Sequence, residues 1–176
     1  YLGDFRGITW NSNAFFSSNK FRARDRSSVA VRWLRSHDFV ILTEAHVSRS
    51  RAEFFQDQQF RHEGGLFYTA PPDESKQHNT AGVLLLVSHS FLKQFTSREW
   101  AEVEPGYAGI LTLKGARGNL QIVATYGYVS SSHGVDKHKR ANLWTKISKH
   151  LLPSEVSLGV LAGDLNLTTE AEDRLN

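Results

Sequence analysis

The sequence has no cysteine and no methionine among its 176 residues, and only four prolines. Without cysteine there is no disulfide framework and no thiolate metal site. A bound metal would have only oxygen and imidazole ligands to draw on, which suits Mg²⁺ or Mn²⁺ better than structural zinc. The lack of cysteine fixes no compartment, because reducing and oxidising surroundings both permit it. No apolar run approaches the roughly 18 residues of a membrane span, and the opening YLGDFRGITW lacks the charged start and apolar middle of a signal peptide. The sequence therefore reads as soluble, with no membrane partner. With no methionine even at position 1 and a strand-like start, it also reads as a piece of a longer polypeptide. Repeats and low-complexity segments are absent, and Gly and Pro are spread as punctuation, so one domain, 1–176, is the simplest organisation.

What is present is ordinary globular material, 40% hydrophobic and 22% charged, long enough for a core of its own. A net charge of +3, a pI near 9.3 and eight histidines give a mild basic lean. The basic residues are grouped in NKFRARDR (19 to 26) and DKHKR (136 to 140), the kind of grouping a phosphate backbone uses, although a charge run this short is more often a solvated loop.

Residues 3 to 10 predict a strand, SSVAVRWLRSH (27 to 37) a helix behind a Ser cap, DFVILTEAH (38 to 46) a second strand, and SRSRAEFFQDQQF (48 to 60) a helix with Phe54 and Phe55 on its apolar face. After the turn-rich APPDESKQHN, the stretches AGVLLLVSHS, FLKQFTSREW, YAGILTLKG and GNLQIVATYG read as consecutive strands of a meander, with KGARGN a hairpin connection. A helix is expected from 135 to 151, burying Leu143, Ile147 and Leu151, with Trp144 a further candidate, before Pro153 and a last strand VSLGVLAG. Strands bracketed by helices in this order suggest a layered α+β or α/β sandwich.

The apolar strands end in polar groups. TWNSN carries Asn11 and Asn13, ILTEAH carries Glu44, AGDLN carries Asp164 and Asn166, and VATYGY carries Tyr126 and Tyr128. Taken singly, each has an ordinary explanation as a turn former, a cap, or an acid at a helix start. Together they are hard oxygen ligands and hydrogen-bonding groups at strand ends, where a rigid sheet can gather side chains at one rim. Within Leu120, Ile122, Ala124 and Tyr126 the strand alternation puts Tyr126 on one face.

The set TWNSN, ILTEAH, AGVLLLVS, VATYGY and AGDLN, in this order and spacing, resembles the endonuclease/exonuclease/phosphatase superfamily. It is similar to the abasic-site endonucleases and most of all to the endonuclease domain of non-LTR retrotransposons, where that domain precedes reverse transcriptase. The resemblance implies a DNase I-like, four-layered sandwich of two mixed β-sheets flanked by helices, and a phosphodiesterase that uses Mg²⁺ or Mn²⁺ on DNA in an intracellular setting, the nucleus included. It implies that Glu44 ligates the metal, that Asn11 ligates it or binds the scissile phosphate, and that Asn13 stands close by. Asp164 would orient or deprotonate the attacking water. Asn166 would bond the phosphate and fix Asp164, and Tyr126 would contact the phosphate near the leaving group, with Tyr128 as the competing alignment. Arg140 falls where the family often keeps an Arg, and a structural ion pair is as good a reading of it.

Two departures stand out. Thr43 replaces the family's Gln before the metal-binding Glu, and YGYVS lacks the Pro that usually follows the Tyr strand. The family's late Asp and its Asp-His pair would fall beyond Asn176, so the sequence corresponds to the N-terminal two thirds of such a domain and is expected to be inactive alone. His46 is a weaker metal candidate. His133 is a serine-loop residue without an orienting acid, and His37, His78, His89 and His150 show no metal spacing. Two rival readings keep the fold: a lipid or inositol phosphate phosphodiesterase or phosphatase, and a degenerate nucleic-acid-binding pseudoenzyme.

Overall fold

The computed structural model describes residues 1–16, 20–46, 48–55, 65–72, 81–128 and 135–166. In chain order the first half forms β1 (Gly7–Asn11), α1 (Lys20–Leu34), β2 (Phe39–Thr43), α2 (Arg49–Phe55), β3 (Gly65–Ala70) and β4 (Val83–Ser88). Every residue of β2 and β4 is buried. Strands of that kind have no polar side to turn to solvent and must lie inside a sheet that is covered on both faces. They are the two central strands of a four-stranded sheet ordered β1-β2-β4-β3. β1 runs parallel to β2 with Asn11 level with Thr43, and β4 runs antiparallel to both β2 and β3.

The second half forms α3 (His89–Leu92), β5 (Ser97–Glu104), β6 (Ala108–Gly115), β7 (Gly118–Tyr126), α4 (Val135–His150) and β8 (Ser157–Asp164). The second sheet is ordered β5-β6-β7-β8. Its first three strands are an antiparallel meander, and α4 carries the chain across so that β8 joins β7 in parallel. Ile41, Leu85 and Val87 of the first sheet pack against Leu111, Leu113, Leu120 and Ile122 of the second. Alternation along the same strands turns Val40, Leu42, Leu84 and Leu86 outward onto Ala30 of α1 and onto Ala52 and Phe55 of α2. On the far side Ile110 and Val123 meet Leu143 and Ile147 of α4. The result is two mixed sheets back to back with helices outside each, an α+β sandwich of four layers.

Several expectations change. AGVLLLVSHS does not join the meander: β4 pairs with β2 and β3 in the first sheet. FLKQFTSREW is not one strand. Ser88 caps α3 by accepting from the Phe91 amide at 3.3 Å, and β5 begins only at Ser97. The unassigned GLFYTA is edge strand β3. Most of the first basic tract lies in α1, which starts at Lys20, because Lys, Arg and Ala favour a helix. Leu151 lies past the end of α4 and is 44% exposed, and Phe54 is 65% exposed beside the buried Phe55. The expected hairpin forms, with Gly115 paired to Gly118, whose φ of 94° needs a glycine. The 56–60 part of the second expected helix lies outside the described residues. No helix among the described residues is long and apolar enough to cross a membrane.

Candidate active site

Both parallel pairs bring strand ends together. β1 and β2 end level at Asn11 and Thr43, and β7 and β8 end level at Tyr126 and Asp164. Stacking the sheets brings these ends to one rim. There the Asn11 amide nitrogen donates to Glu44 Oε1 at 2.9 Å and to Asp164 Oδ2 at 3.0 Å. One side chain from the first sheet thus bridges a carboxylate of its own sheet and one from the opposite sheet. Its carbonyl oxygen accepts from the Asn13 backbone N–H at 3.2 Å, which fixes which end of the amide faces the acids.

Tyr126, only 5% exposed, donates its hydroxyl to the same Glu44 Oε1 at 2.9 Å. Burial pushes that hydroxyl well above the ordinary tyrosine value of 10.0. The bond to Glu44 and its charge add to the shift, as does the Asp164 charge, while the Asn166 side chain opposes it. Tyr126 therefore stays protonated and remains a donor. Glu44 Oε2 has no donor among the described residues, which leaves it open to another partner.

The loops that carry these groups are held by backbone bonds. Ser12 N–H and Oγ–H both donate to the Thr43 carbonyl, Ala14 N–H donates to the Glu44 carbonyl, and Phe16 N–H donates to the Ala45 carbonyl. The Arg26 guanidinium of α1 donates to the Ala14 carbonyl. This lacing holds Asn13, Ala14 and Glu44 at positive φ, values of 40°, 67° and 51° that L residues adopt only when their surroundings require it. Across the rim, Asp164 Oδ1 accepts from the Asn166 backbone N–H at 3.0 Å, and the Asn166 amide donates to the Gly127 carbonyl at 2.7 Å. Two glycines make this approach possible. A Cβ at Gly163 would stand 1.8 Å from the Thr125 carbonyl oxygen, and one at Gly127 would stand 2.0 Å from that of Leu165.

Asn11, Glu44, Tyr126 and Asp164 thus form one hydrogen-bonded cluster, with Asn13 and Asn166 tied to it through their backbone amides. Tyr128 turns away, its hydroxyl donating to Glu104 Oε1 at 3.3 Å. Thr43 Oγ1 and His46 Nε2 are buried with no hydrogen-bond partner among the described residues, and neither joins the cluster. His37, just past the end of α1, bonds the Trp33 carbonyl, and among the described residues no side-chain bond links His89, Arg140 or His150 to the cluster. His78 and His133 lie outside the described residues. Two contributors had no motif to announce them. Arg26 sits in a tract that reads as phosphate-facing, and Tyr107 lies in a glycine turn. Tyr107 stacks on Tyr126 at 6.0 Å, and its carbonyl accepts the Tyr126 N–H at 2.7 Å.

As a metal holder the rim is sparse. Among the described residues no group of three or more His, Cys, Asp or Glu side chains gathers anywhere. The donors at the rim are the two carboxylates of Glu44 and Asp164, which are hard oxygen, while Asn11 turns its N–H end toward them. This set fits an ion that takes one or two protein carboxylates and fills its shell with water and phosphate oxygens, as Mg²⁺ does.

No protein-family model matches the sequence, and no curated protein matches it. Solved structures do match the fold. A humanized D. rerio TDP2 gives a TM-score of 0.59 at 15% identity, over 92% of this chain and 66% of that one. The AP endonuclease LMAP from Leishmania major gives 0.70 at 15% identity, over 98% of this chain and 58% of that one. D. rerio TDP2 complexed with single strand DNA product gives 0.58 at 15% identity, over 92% and 60%. The chain therefore spans less than two thirds of each neighbour's length. TDP2 and the AP endonuclease are members of the endonuclease/exonuclease/phosphatase superfamily, and this chain has their fold.

Proposed function

We propose that these residues belong to a divalent-metal-dependent phosphodiesterase that cleaves DNA, an endonuclease of retroelement or repair type. The supporting observation is the cluster itself: Asn11, Glu44, Tyr126 and Asp164 meet at one rim although they come from both sheets and from positions as far apart as 153 residues. A phosphodiester is anionic and repels a nucleophile, so its cleavage needs positive charge at the phosphate and a group that readies water. The rim has candidates for both.

Glu44, through its open Oε2, would hold Mg²⁺ or Mn²⁺, with Asn11 and Asn13 beside it. Bound there, the ion would neutralise the phosphate and polarise the bond to the leaving oxygen. Asp164 takes the proton of the attacking water or orients it, and the Asn11 and Asn166 N–H groups fix the rotamer in which it does so. Tyr126 locks Glu44 from the other side with its single O–H and would reach the phosphate only by giving up that bond. Among the described residues no histidine is hydrogen-bonded to this cluster; in the superfamily a histidine completes the set. The DNA preference draws on the motif resemblance, the basic tracts and a neighbour crystallised with single strand DNA product.

The test is nicking of supercoiled plasmid by the longest polypeptide that carries these residues, with Mg²⁺ or Mn²⁺ titrated. Asp164→Asn should abolish cleavage and leave DNA affinity within about twofold, because it removes a group that acts on the nucleophile. Glu44→Gln should lose activity and regain part of it at high Mg²⁺. Wild-type rates in either variant would overturn the assignment, and tight DNA binding without cleavage in any metal would favour a binding module instead.

A further inference from the structure

Beside the rim the chain builds a row of three tyrosines from separate places in the second sheet. Tyr126 ends β7, Tyr107 lies in the turn before β6, and Tyr128 follows β7 by two residues. Tyr107 lies between the others, nearly parallel to both: its centroid is 6.0 Å from Tyr126 at 12° and 3.9 Å from Tyr128 at 26°. One end of the row is fixed by the Tyr126 bond to Glu44. The other is fixed by Tyr128 donating to Glu104 Oε1, while Glu104 Oε2 receives the Lys146 ammonium of α4.

Tyr128 is thus pinned through its hydroxyl and through its inner face. Its outer face is different. The Lys139 ammonium stands over the ring, 5.9 Å from its centroid, on an exposed side chain, while the ring itself is half-buried and packs as well against the cluster of Ala108, Ile110, Val123, Leu143 and Ile147. Lys137 and His138 next to Lys139 are exposed too. Packing alone does not call for this arrangement, since an ordinary apolar side chain would cover Tyr107 as well and would need neither the Glu104 anchor nor a cation above it. A rigid aromatic face with a movable cation beside it has the two parts that a nucleotide requires, a surface for the base and a charge for its phosphate.

We propose that the outer face of Tyr128, with Lys139, is a subsite for an unpaired nucleotide flanking the scissile phosphate: the base stacks on the ring, and the ammonium leaves the ring to take that nucleotide's phosphate. The base must be unpaired because a base within a duplex has both faces already stacked. The subsite lies two rings along the row from Tyr126, so its place relative to cleavage rests on the phosphodiesterase reading of the rim. Its occupancy does not, because binding can be measured without turnover.

The experiment is equilibrium binding of a fluorescent oligothymidine in EDTA, with a single abasic spacer moved along the strand and a duplex of the same length as comparison. Wild type should lose about tenfold in affinity at one spacer position and little elsewhere, as expected when one stacked base is lost. Tyr128→Leu should lose about tenfold on the intact strand, lose nothing further with the spacer at that position, and bind duplex as wild type does. Tyr128→Phe, which keeps the ring and loses the Glu104 bond, should stay within about twofold of wild type, and Lys139→Ala should lower the salt slope by about one unit. A flat spacer scan in the wild type overturns the proposal whether or not any variant folds, as does equal loss in the Phe and Leu variants or a deficit on duplex alone. Robust metal-dependent cleavage with a flat scan would sink the subsite alone; a positive scan with no cleavage in any metal would sink the catalytic reading alone.

Discussion

Asn11 shows how much one side chain decides at the residue scale. Both of its amide hydrogens are committed, to Glu44 and to Asp164. An aspartate there would set three carboxylates against one another, and an alanine would leave two without their shared donor. Tyr126 gives a pH test of the same cluster. Its hydroxyl value is raised by folding, so its stabilising contribution is whole below the unfolded value near 10.0 and is lost as pH rises from there through the raised folded value. Tyr126→Phe should therefore flatten the fall in stability above about pH 10 while changing little at neutral pH. Thermal melts from pH 8 to 11 would show this, and an unchanged alkaline slope would mean the hydroxyl is not held as described. The sequence made Asn11, Glu44 and Asp164 legible because each follows an apolar strand in a recognisable motif. It did not disclose that Asn13 and Asn166 act through their backbone amides. Positive φ at Asn13, Ala14 and Glu44 leaves no mark in a stretch without glycine.

At the scale of elements, strands announced themselves by hydrophobic runs but not by partner. VLLLV reads the same whether it joins the meander or the other sheet, and only packing against β2 decides. β3 escaped notice because an edge strand with half-exposed residues has a weak pattern next to turn-forming neighbours. α4 is legible in its length and its Leu143 and Ile147 face; helical spacing carries that face on to Leu151, but the helix ends at His150. Gly163 carries the closest approach between elements. With φ at 146° and the Thr125 carbonyl where a Cβ would go, Gly163→Ala should destabilise by about 2 kcal/mol or more, a drop of roughly 4–8 °C in melting temperature. It should also displace Asp164, so metal-dependent cleavage should fall further than the melting temperature alone explains. A variant that melts like wild type would show that β8 tolerates a different path beside β7.

For the molecule as a whole, charge is distributed unevenly over the sheet edges. β5 (SREWAEVE) is studded with charges, the usual protection of an exposed edge. β8 has none before Asp164, and Leu158 and Leu161 are 41% and 43% exposed there. Among the described residues β8 is an end strand of its sheet. The polypeptide of these residues should therefore self-associate as its concentration rises, and Leu158→Lys with Leu161→Lys should reduce this without lowering the melting temperature by more than about 1 kcal/mol equivalent. Light scattering over a dilution series decides it, and identical association by the double variant would point to another surface.

The bridge from Asn11 to Asp164 also has a consequence in time. It closes a loop of 153 residues, and β8 can join β7 only after the α4 crossover is in place. Contacts so distant along the chain are entropically late, whereas the β5-β6-β7 meander is made of neighbours and can form early. Refolding should therefore restore strand signal before the rim exists. During synthesis residues 1–11, made well before β8, wait for nearly the whole of this sequence before the cluster that gives them their chemistry can close.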